Sequence, residues 1–460
     1  MIPMHYAIVQ GSEETIEALI QAGACVDAGT VRKRWTRIEK SGRWNYHLSP
    51  GDQKASGTRT SHGLTPLHWA ALIGHPAMIK YLLSKGADPN KCYQDGDTPL
   101  HLAIRADIIR DNNDAWNSSS WRIEIYNDLV EAGSEEADDA RHHVSEIRSA
   151  VIEVLLSHPS IDVDLQNEQL QTPLHLVACC KDFSMVSFSR LMIKKPDNSI
   201  CNYKGQTPLH LASGAGKARM VKHLLAARAS VDVLDSEGSS PLQYSVRSGK
   251  SAAAVVKLLL KCYDMTQLNS CTQKDGAGKN LLHHYLQTDA PSQKLILTLL
   301  NHGANVNEID TEGNSPLSLC LRTSNLIFKR ASICRFLLKN GASILWTDES
   351  GRNLAHVSML AYPWMPVDGV LSTLSEFGID MAAKDPNNRG ILHHGAMYGS
   401  VTQGVVDLLR GSGSLSLHDR DNDGRTPLSY AEAKLHPNRG FSRNRRELTL
   451  DVLLKAANGD

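Results

Sequence analysis

A four-residue word returns along the chain, and it constrains the fold more than any other feature. It reads TPLH at 65–68, 98–101, 172–175 and 207–210. Decayed copies open at Ile2, Ser240, Asn280, Ser315, Asn353, Gly390 and Thr426, which makes about eleven units. The underlying period is about 33 residues, and two longer gaps mark insertions. A unit so short cannot bury a core alone, so each copy must bury its apolar face on its neighbours. The chain has 460 residues but only 7 Trp, 12 Tyr and 6 Phe, which suits thin layers of small side chains better than one thick core.

Within a unit the residues spell out their local structure. Thr65 can cap a helix with its hydroxyl, and Pro66 fits the first helical position, where no N–H is needed. Leu67, Ala70 and Ala71 follow at helical spacing, and Gly74 permits a sharp reversal. Gly11, Gly216, Gly249 and Gly399 hold the same place. A second helix carries Tyr81, Leu82 and Leu83 and stops at Gly86, as others stop at Gly23, Gly303 and Gly341. Asp and Asn with a Gly, as at 310–313, then supply turn chemistry for a loop. The unit is helix, turn, helix, loop, and the fold class expected is an all-α solenoid.

The stretch TPLHWAALIGHPAMIKYLLSKGADPN at 65–90 resembles the ankyrin repeat family, with TPLH, GH and GAD carrying the likeness. The resemblance covers nearly the whole chain apart from its insertions. It implies about eleven stacked repeats in a curved array, with loops projecting as β-hairpin fingers and first helices lining a concave groove. It also implies that the histidine closing each word bonds backbone between neighbouring loops. Some units depart from the pattern. Those opening at Asn280, Asn353 and Gly390 lack the Pro, and Lys181 stands where the unit of Thr172 should reverse at a Gly. In its worn, insertion-rich style the chain is also similar to fungal sensor proteins that join a nucleotide-binding oligomerisation domain to a tail of ankyrin units.

One solenoid over 1–460 is expected, interrupted at three places. Residues 28–62 are basic, with Arg32, Lys33, Arg34, Arg37 and Lys40 among the cations and Trp35, Trp44 and Tyr46 interleaved. That composition suits a nucleic-acid stacking platform, but charge runs are usually solvated, and a solvated loop is the expectation. Residues 107–146, in the third repeat, are acidic; residues 434–446, in the last, are basic again. Overall, 49 Lys plus Arg balance 49 Asp plus Glu, so the composition is not that of a nucleic-acid-binding chain. No apolar run approaches the roughly 20 residues needed to span a bilayer. The first residues lack the basic-then-apolar order of a secretion signal, and nine cysteines without a CxxC pair fit reduced thiols. A monomeric protein of the cytoplasm or nucleus, without membrane association, is expected.

Catalytic chemistry is sought and not found. The doublets His283, His284 and His393, His394 have no Cys, Asp or Glu at ligand spacing beside them. Cys179 and Cys180 lack a free base, and the glycine strings at 214–217 and 276–279 miss the phosphate-loop pattern. No enzyme, metal or cofactor is expected.

What the ankyrin geometry leaves free are the finger tips and two first-helix positions, seven and eight residues after the opening Thr. Leu72 with Ile73 and Met397 with Tyr398 stand there as exposed apolar anchors. Arg105, Arg247 and Arg322 form a cationic middle, and Tyr203 and Lys204 occupy one finger tip. Later tips carry Asp235, Glu237, Asp310, Glu312, Asp348, Glu349, Asp419, Asp421 and Asp423, which favour a basic partner or simply serve the turns. The expectation is a non-enzymatic scaffold or adaptor that holds a protein across groove and fingers. Alternatives are a ligand-sensing ankyrin tail of a larger signalling protein and, less favoured, a nucleic-acid-associated regulator using the insertion around Trp35.

Overall fold

In the TPLH word the threonine and the histidine cap each other. Thr65 is extended (φ −75°, ψ 165°), and its hydroxyl accepts the His68 N–H at 3.4 Å. In return the Thr65 N–H donates to His68 Nδ1 at 3.2 Å. The imidazole therefore does what a Glu does in an ordinary capping box. The same exchange recurs at Thr98 with His101, and the Thr172 N–H likewise donates to His175 Nδ1. Where Asn replaces Thr-Pro, its side chain takes over: Asn280 Oδ1 accepts from Leu282 and His283, and Asn353 Oδ1 from Ala355 and His356. Gly74 and Gly399 end their helices in the left-handed region, at φ 80° and 69°, where a β-carbon would be crowded.

The structure is a computed structural model. It describes residues 3–29, 35–37, 44–46, 63–93, 95–108, 137–179, 185–248, 252–262, 274–288, 291–322, 329–360, 367–433 and 443–458. Among these residues first and second helices alternate through the chain, from Pro3–Val9 and Glu13–Gln21 to Pro427–Glu432 and Arg443–Asn458. The fold is an all-α repeat solenoid built as two units, Met1–Ala215 with Ala226–Ser230 and Gly216–Leu225 with Val231–Asp460. No helix among the described residues is long and apolar enough to cross a membrane.

In the first unit, Pro3–Val9, Pro66–Ile73, Pro99–Ile108, Pro173–Cys179 and Pro208–Gly214 pack each on the next. A second row runs from Pro76–Ser84 through Ala137–Ser157 to Met185–Ile193. Leu67, Ala70, Leu100, Ile104, Leu174 and Phe188 are buried between the rows. In the second unit, Pro241–Arg247, Leu281–Leu286, Pro316–Arg322, Leu354–Met359, Ile391–Tyr398 and Pro427–Glu432 make the first row. Arg330–Lys339, Asp368–Glu376 and Gln403–Gly411 stack behind them. Each fully buried Leu or Ile in these layers contributes about 1.5–3 kcal/mol, and contacts run between sequential neighbours.

Residues 28–62, 107–146 and 434–446 lie largely outside the described residues, as do Cys180, Lys181, Gly249 and Thr323. Within the first of these segments, Trp35–Arg37 and Trp44–Tyr46 pair antiparallel, with Trp35 opposite Tyr46. The long helix Ala137–Ser157 begins inside the second, and Arg443–Asn458 begins inside the third.

Candidate interaction surface

Eight fingers are closed from within by one inward Asn or Asp; in the finger before Thr98, Tyr93 holds that place. Asn167 Oδ1 accepts the N–H groups of Gln169 and Gln171 at 3.0 and 2.9 Å. Asn202, Asp235, Asp275, Asp310, Asp348, Asp385 and Asp421 repeat this pattern onto the residues two and four places on. Backbone donors that would face the turn unpaired are thereby satisfied. Asp235, Asp310, Asp385 and Asp421 are buried, so these aspartates serve the turns. The acidic charge shown at the tips is that of Glu168, Glu237, Glu312, Glu349 and Asp423, which are exposed.

In four fingers the second carboxylate oxygen is held by the first helix that follows. Tyr244 donates to Asp235 Oδ2 at 2.7 Å, and Tyr430 donates to Asp421 Oδ2. His284 Nε2 lies 2.8 Å from Asp275 Oδ2, and His394 Nε2 lies 3.1 Å from Asp385 Oδ2. Burial, then the Arg247 charge, holds the His284 imidazole down at about 4, with Asp275 opposing. Burial and the neighbouring His356 do the same for His394. Both rings are therefore neutral at pH 7 and donate to the carboxylates. For Asp421, burial works against the charge, but the Tyr430 hydroxyl, the Arg425 N–H and Arg389 outweigh it and hold the carboxyl down to about 2. This Asp–Tyr/His pairing was not read from the sequence; a constant spacing of nine residues is the signal that could have found it.

The histidine of each word reaches the next finger. His68 Nε2 lies 3.1 Å from the Asp97 carbonyl oxygen, His175 Nε2 3.0 Å from that of Gln206, and His283 and His393 bond those of Asn314 and Arg425. The ankyrin resemblance implied this bond. Because Nδ1 accepts the cap N–H, the proton sits on Nε2, and burial lowers His68, His101 and His175 to about 4. Both members of each His doublet are thus engaged by protein groups. Among the described residues no cluster of His, Cys, Asp or Glu is arranged to hold a metal.

The residues named as contact candidates divide into three groups. Leu72, Ile73, Met397 and Tyr398 are half-buried rather than fully exposed, and Ile73 packs against Leu64, Trp69, Tyr93 and Leu102. The arginines are drawn onto finger carboxylates. Arg105 Nη1 lies 3.2 Å from Asp97, whose side chain is fully buried. Arg247 donates to His284 Nδ1 at 3.2 Å and sits 5.3 Å over the Tyr244 ring. Arg322 reaches Asp348 at 3.3 Å and lies over Trp346. Tyr203 and Lys204 are exposed, the Lys204 Nζ 5.6 Å from the tyrosine ring centroid.

Sequence comparison agrees with this geometry. A model of ankyrin repeats in three copies matches residues 45–113, 140–235 and 187–270, and a single-repeat model matches residues 1–31, together half of the chain. The chain belongs to the ankyrin repeat family. Among curated relatives, the human transient receptor potential cation channel subfamily A member 1 is 24% identical over 420 residues, covering 80% of this chain and 32% of its own length. The chicken nuclear factor NF-kappa-B p105 subunit is 27% identical over 276 residues, 52% of this chain and 27% of the relative. Mouse Rabankyrin-5 is 25% identical over 274 residues, 59% and 18% respectively. The chain spans no more than about a third of these relatives.

Proposed function

We propose that this ankyrin repeat chain is a non-enzymatic adaptor that holds a protein partner across its first helices and finger tips. The supporting observation is the division of labour in each finger. A buried Asn or Asp, the word histidine and, in several repeats, a column Tyr or His carry the structure, while tip residues such as Glu168, Tyr203, Lys204 and Glu237 stay exposed. Leu72, Ile73, Met397 and Tyr398 supply apolar anchors along the first helices. Arg105, Arg247 and Arg322, already oriented by carboxylates or rings, offer their remaining N–H groups to acceptors on the partner. The insertions at 28–62, 107–146 and 434–446 are additions to the repeats that leave the stack intact, and the setting is the cytoplasm or nucleus.

The test is affinity capture with the full chain and with Leu72→Asp combined with Met397→Asp. Loss of specific partners, with the helical circular-dichroism signal unchanged, is the expected result. Retention of every partner by the folded variant removes these helices from the interface. A second reading, a repeat region serving an effector part of a longer signalling protein, draws on the alignment of 80% of this chain to 32% of a channel subunit. A transcript joining these repeats in frame to such a part would favour it.

A further inference from the structure

Two neighbouring second helices of the second unit leave a gap between them on their outer side. In Ala252–Cys262 the residues Val255, Val256 and Leu259 are buried, while Ala254, Lys257 and Lys261 are exposed. In Gln293–Asn301 the residues Leu295, Ile296 and Leu299 are buried, and Thr298 is half-buried. Ala254 and Thr298 are too short to fill the space where the helices meet, and a groove of about 320 Å³ results. Ala254, Leu258 and Leu260 give it an apolar floor.

One wall of the groove is cationic. Lys257 and Lys261 stand four residues apart on one helix, so they share a face and line the groove in succession. Thr298 and His302 line the other side with the same spacing. His302 Nδ1 donates to the Thr298 carbonyl at 2.8 Å, which leaves Nε2 for a ligand. No carboxylate lines the groove among the described residues, and 252–262 and 291–303 contain no Asp or Glu. The second helix that follows, Arg330–Lys339, contains none either, and Gln293 Nε2 ties to it through Ser332 Oγ at 2.9 Å. Exposed carboxylates of these repeats stand on finger tips instead, at Glu237 and Glu312.

We propose that the groove between Ala252–Cys262 and Gln293–Asn301 docks an acidic segment of a partner protein, with one Leu, Met or Phe side chain on the apolar floor and flanking carboxylates on Lys257 and Lys261. A basic segment would meet the two lysines as like charges. A phosphate surface, of lipid headgroups or of nucleic acid, would satisfy the lysines and leave the floor at Leu258 and Leu260 unfilled. The groove belongs to second helices, apart from the first helices and finger tips of the adaptor reading, so the two stand or fall separately.

The experiment pans a phage-displayed random-peptide library on the full chain, then measures the enriched peptides, as synthetic probes, on two variants. Lys257→Glu combined with Lys261→Glu reverses the charge, and Ala254→Phe fills the groove without changing it. The enriched sequences should include a class that joins Asp or Glu to a large apolar residue, and its binding should weaken about tenfold in both variants. The three positions are exposed, so the melting temperatures should stay together. Phosphatidylserine–phosphatidylcholine vesicles and poly-uridine RNA are tested on the same chains. Absence of the acidic, apolar class, or a class that either variant binds as well as the unaltered chain, overturns the proposal. Vesicle or RNA binding that the lysine exchange abolishes and Ala254→Phe leaves alone, without such peptides, assigns the lysines to phosphate and overturns it too.

Discussion

His101 Nε2 lies 3.0 Å from the carbonyl oxygen of Gln171, a residue 70 positions further along the chain. The equivalent bond from His68 spans 29 positions, so the acidic insertion changes the sequence distance and leaves the contact the same. Asn167 Nδ2 to Asp97 Oδ1 at 2.8 Å and Glu168 N–H to Asp95 O at 3.1 Å reinforce it. The stack therefore selects partners by repeat position, and the chain between them is a tether whose closure entropy grows only slowly with length.

Replacing His101 by Ala removes the acceptor of the Thr98 N–H and the donor to Gln171 in one step. The buried Thr98 N–H then lacks a partner, while the Gln171 carbonyl keeps the Asn167 N–H at 3.0 Å, so the cost is about 1–3 kcal/mol. Urea unfolding followed by circular dichroism should register that loss. A change too small to measure would mean that water takes the place of the imidazole at Thr98.

Exchanging residues 109–136 for a Gly-Ser segment of equal length should leave the thermal midpoint nearly unchanged. The bonds that cross the gap belong to Asp95, Asp97, His101, Asn167, Glu168 and Gln171, none of which is altered. Surface-segment changes away from packed groups are usually within about 0.5 kcal/mol. Unfolding of the exchanged chain would make the acidic segment part of the core.

Acid should weaken the fold well above the range where carboxylates protonate. Burial holds His68, His101, His175, His284 and His394 at about 4, whereas the unfolded chain titrates them near 6.5. Between those values the unfolded chain binds protons that the folded chain refuses, so stability rises with pH there and is lost as pH falls from 6.5 toward 4. Each site supplies at most about 1.4 kcal/mol per pH unit. A urea midpoint that stays level from pH 7 to pH 4.5 would contradict neutral, buried imidazoles.

The legible part of the fold was the part written as a local word. Thr65, Pro66, Leu67 and His68 announce a cap, a helix start, a core residue and a link to the next repeat, and each role is carried within a few residues. The side chains at Arg105, Arg247 and Arg322 were harder to place. Asp97 precedes the helix of Arg105, whereas Asp275 with His284, and Asp348, belong to the next repeat, and only the stack brings them close to Arg247 and Arg322. The left-handed backbone of Leu170 (φ 53°) was missed for a related reason. Nothing in QNEQLQT demands a left-handed residue; the turn is imposed by Asn167 within and Asp95 alongside.

The Tyr430 hydroxyl tests whether the column tyrosine supports the finger it touches. It donates to Asp421 Oδ2, while Oδ1 closes the finger through Asp423 and Arg425 N–H. Tyr430→Phe keeps the ring, its packing near His393 and the Arg389 and Arg425 guanidiniums over it, and removes the hydroxyl that donates to Asp421 and accepts from Arg425. The Asp421 carboxyl, held at about 2, should then titrate higher, because one of the groups that favours its charge is gone. Asp421 lends stability above its unfolded value of 3.8 and loses it as pH falls toward 2, so raising the folded value shrinks that contribution. The cost at neutral pH should be about 1–3 kcal/mol, as for other hydrogen bonds to a charged group. NMR titration of the Asp421 carboxyl, alongside urea unfolding, reads both effects in one pair of proteins. An unmoved titration with unchanged stability would mean that Arg389 and the backbone N–H groups suffice, and that the nine-residue pairing is incidental to the finger.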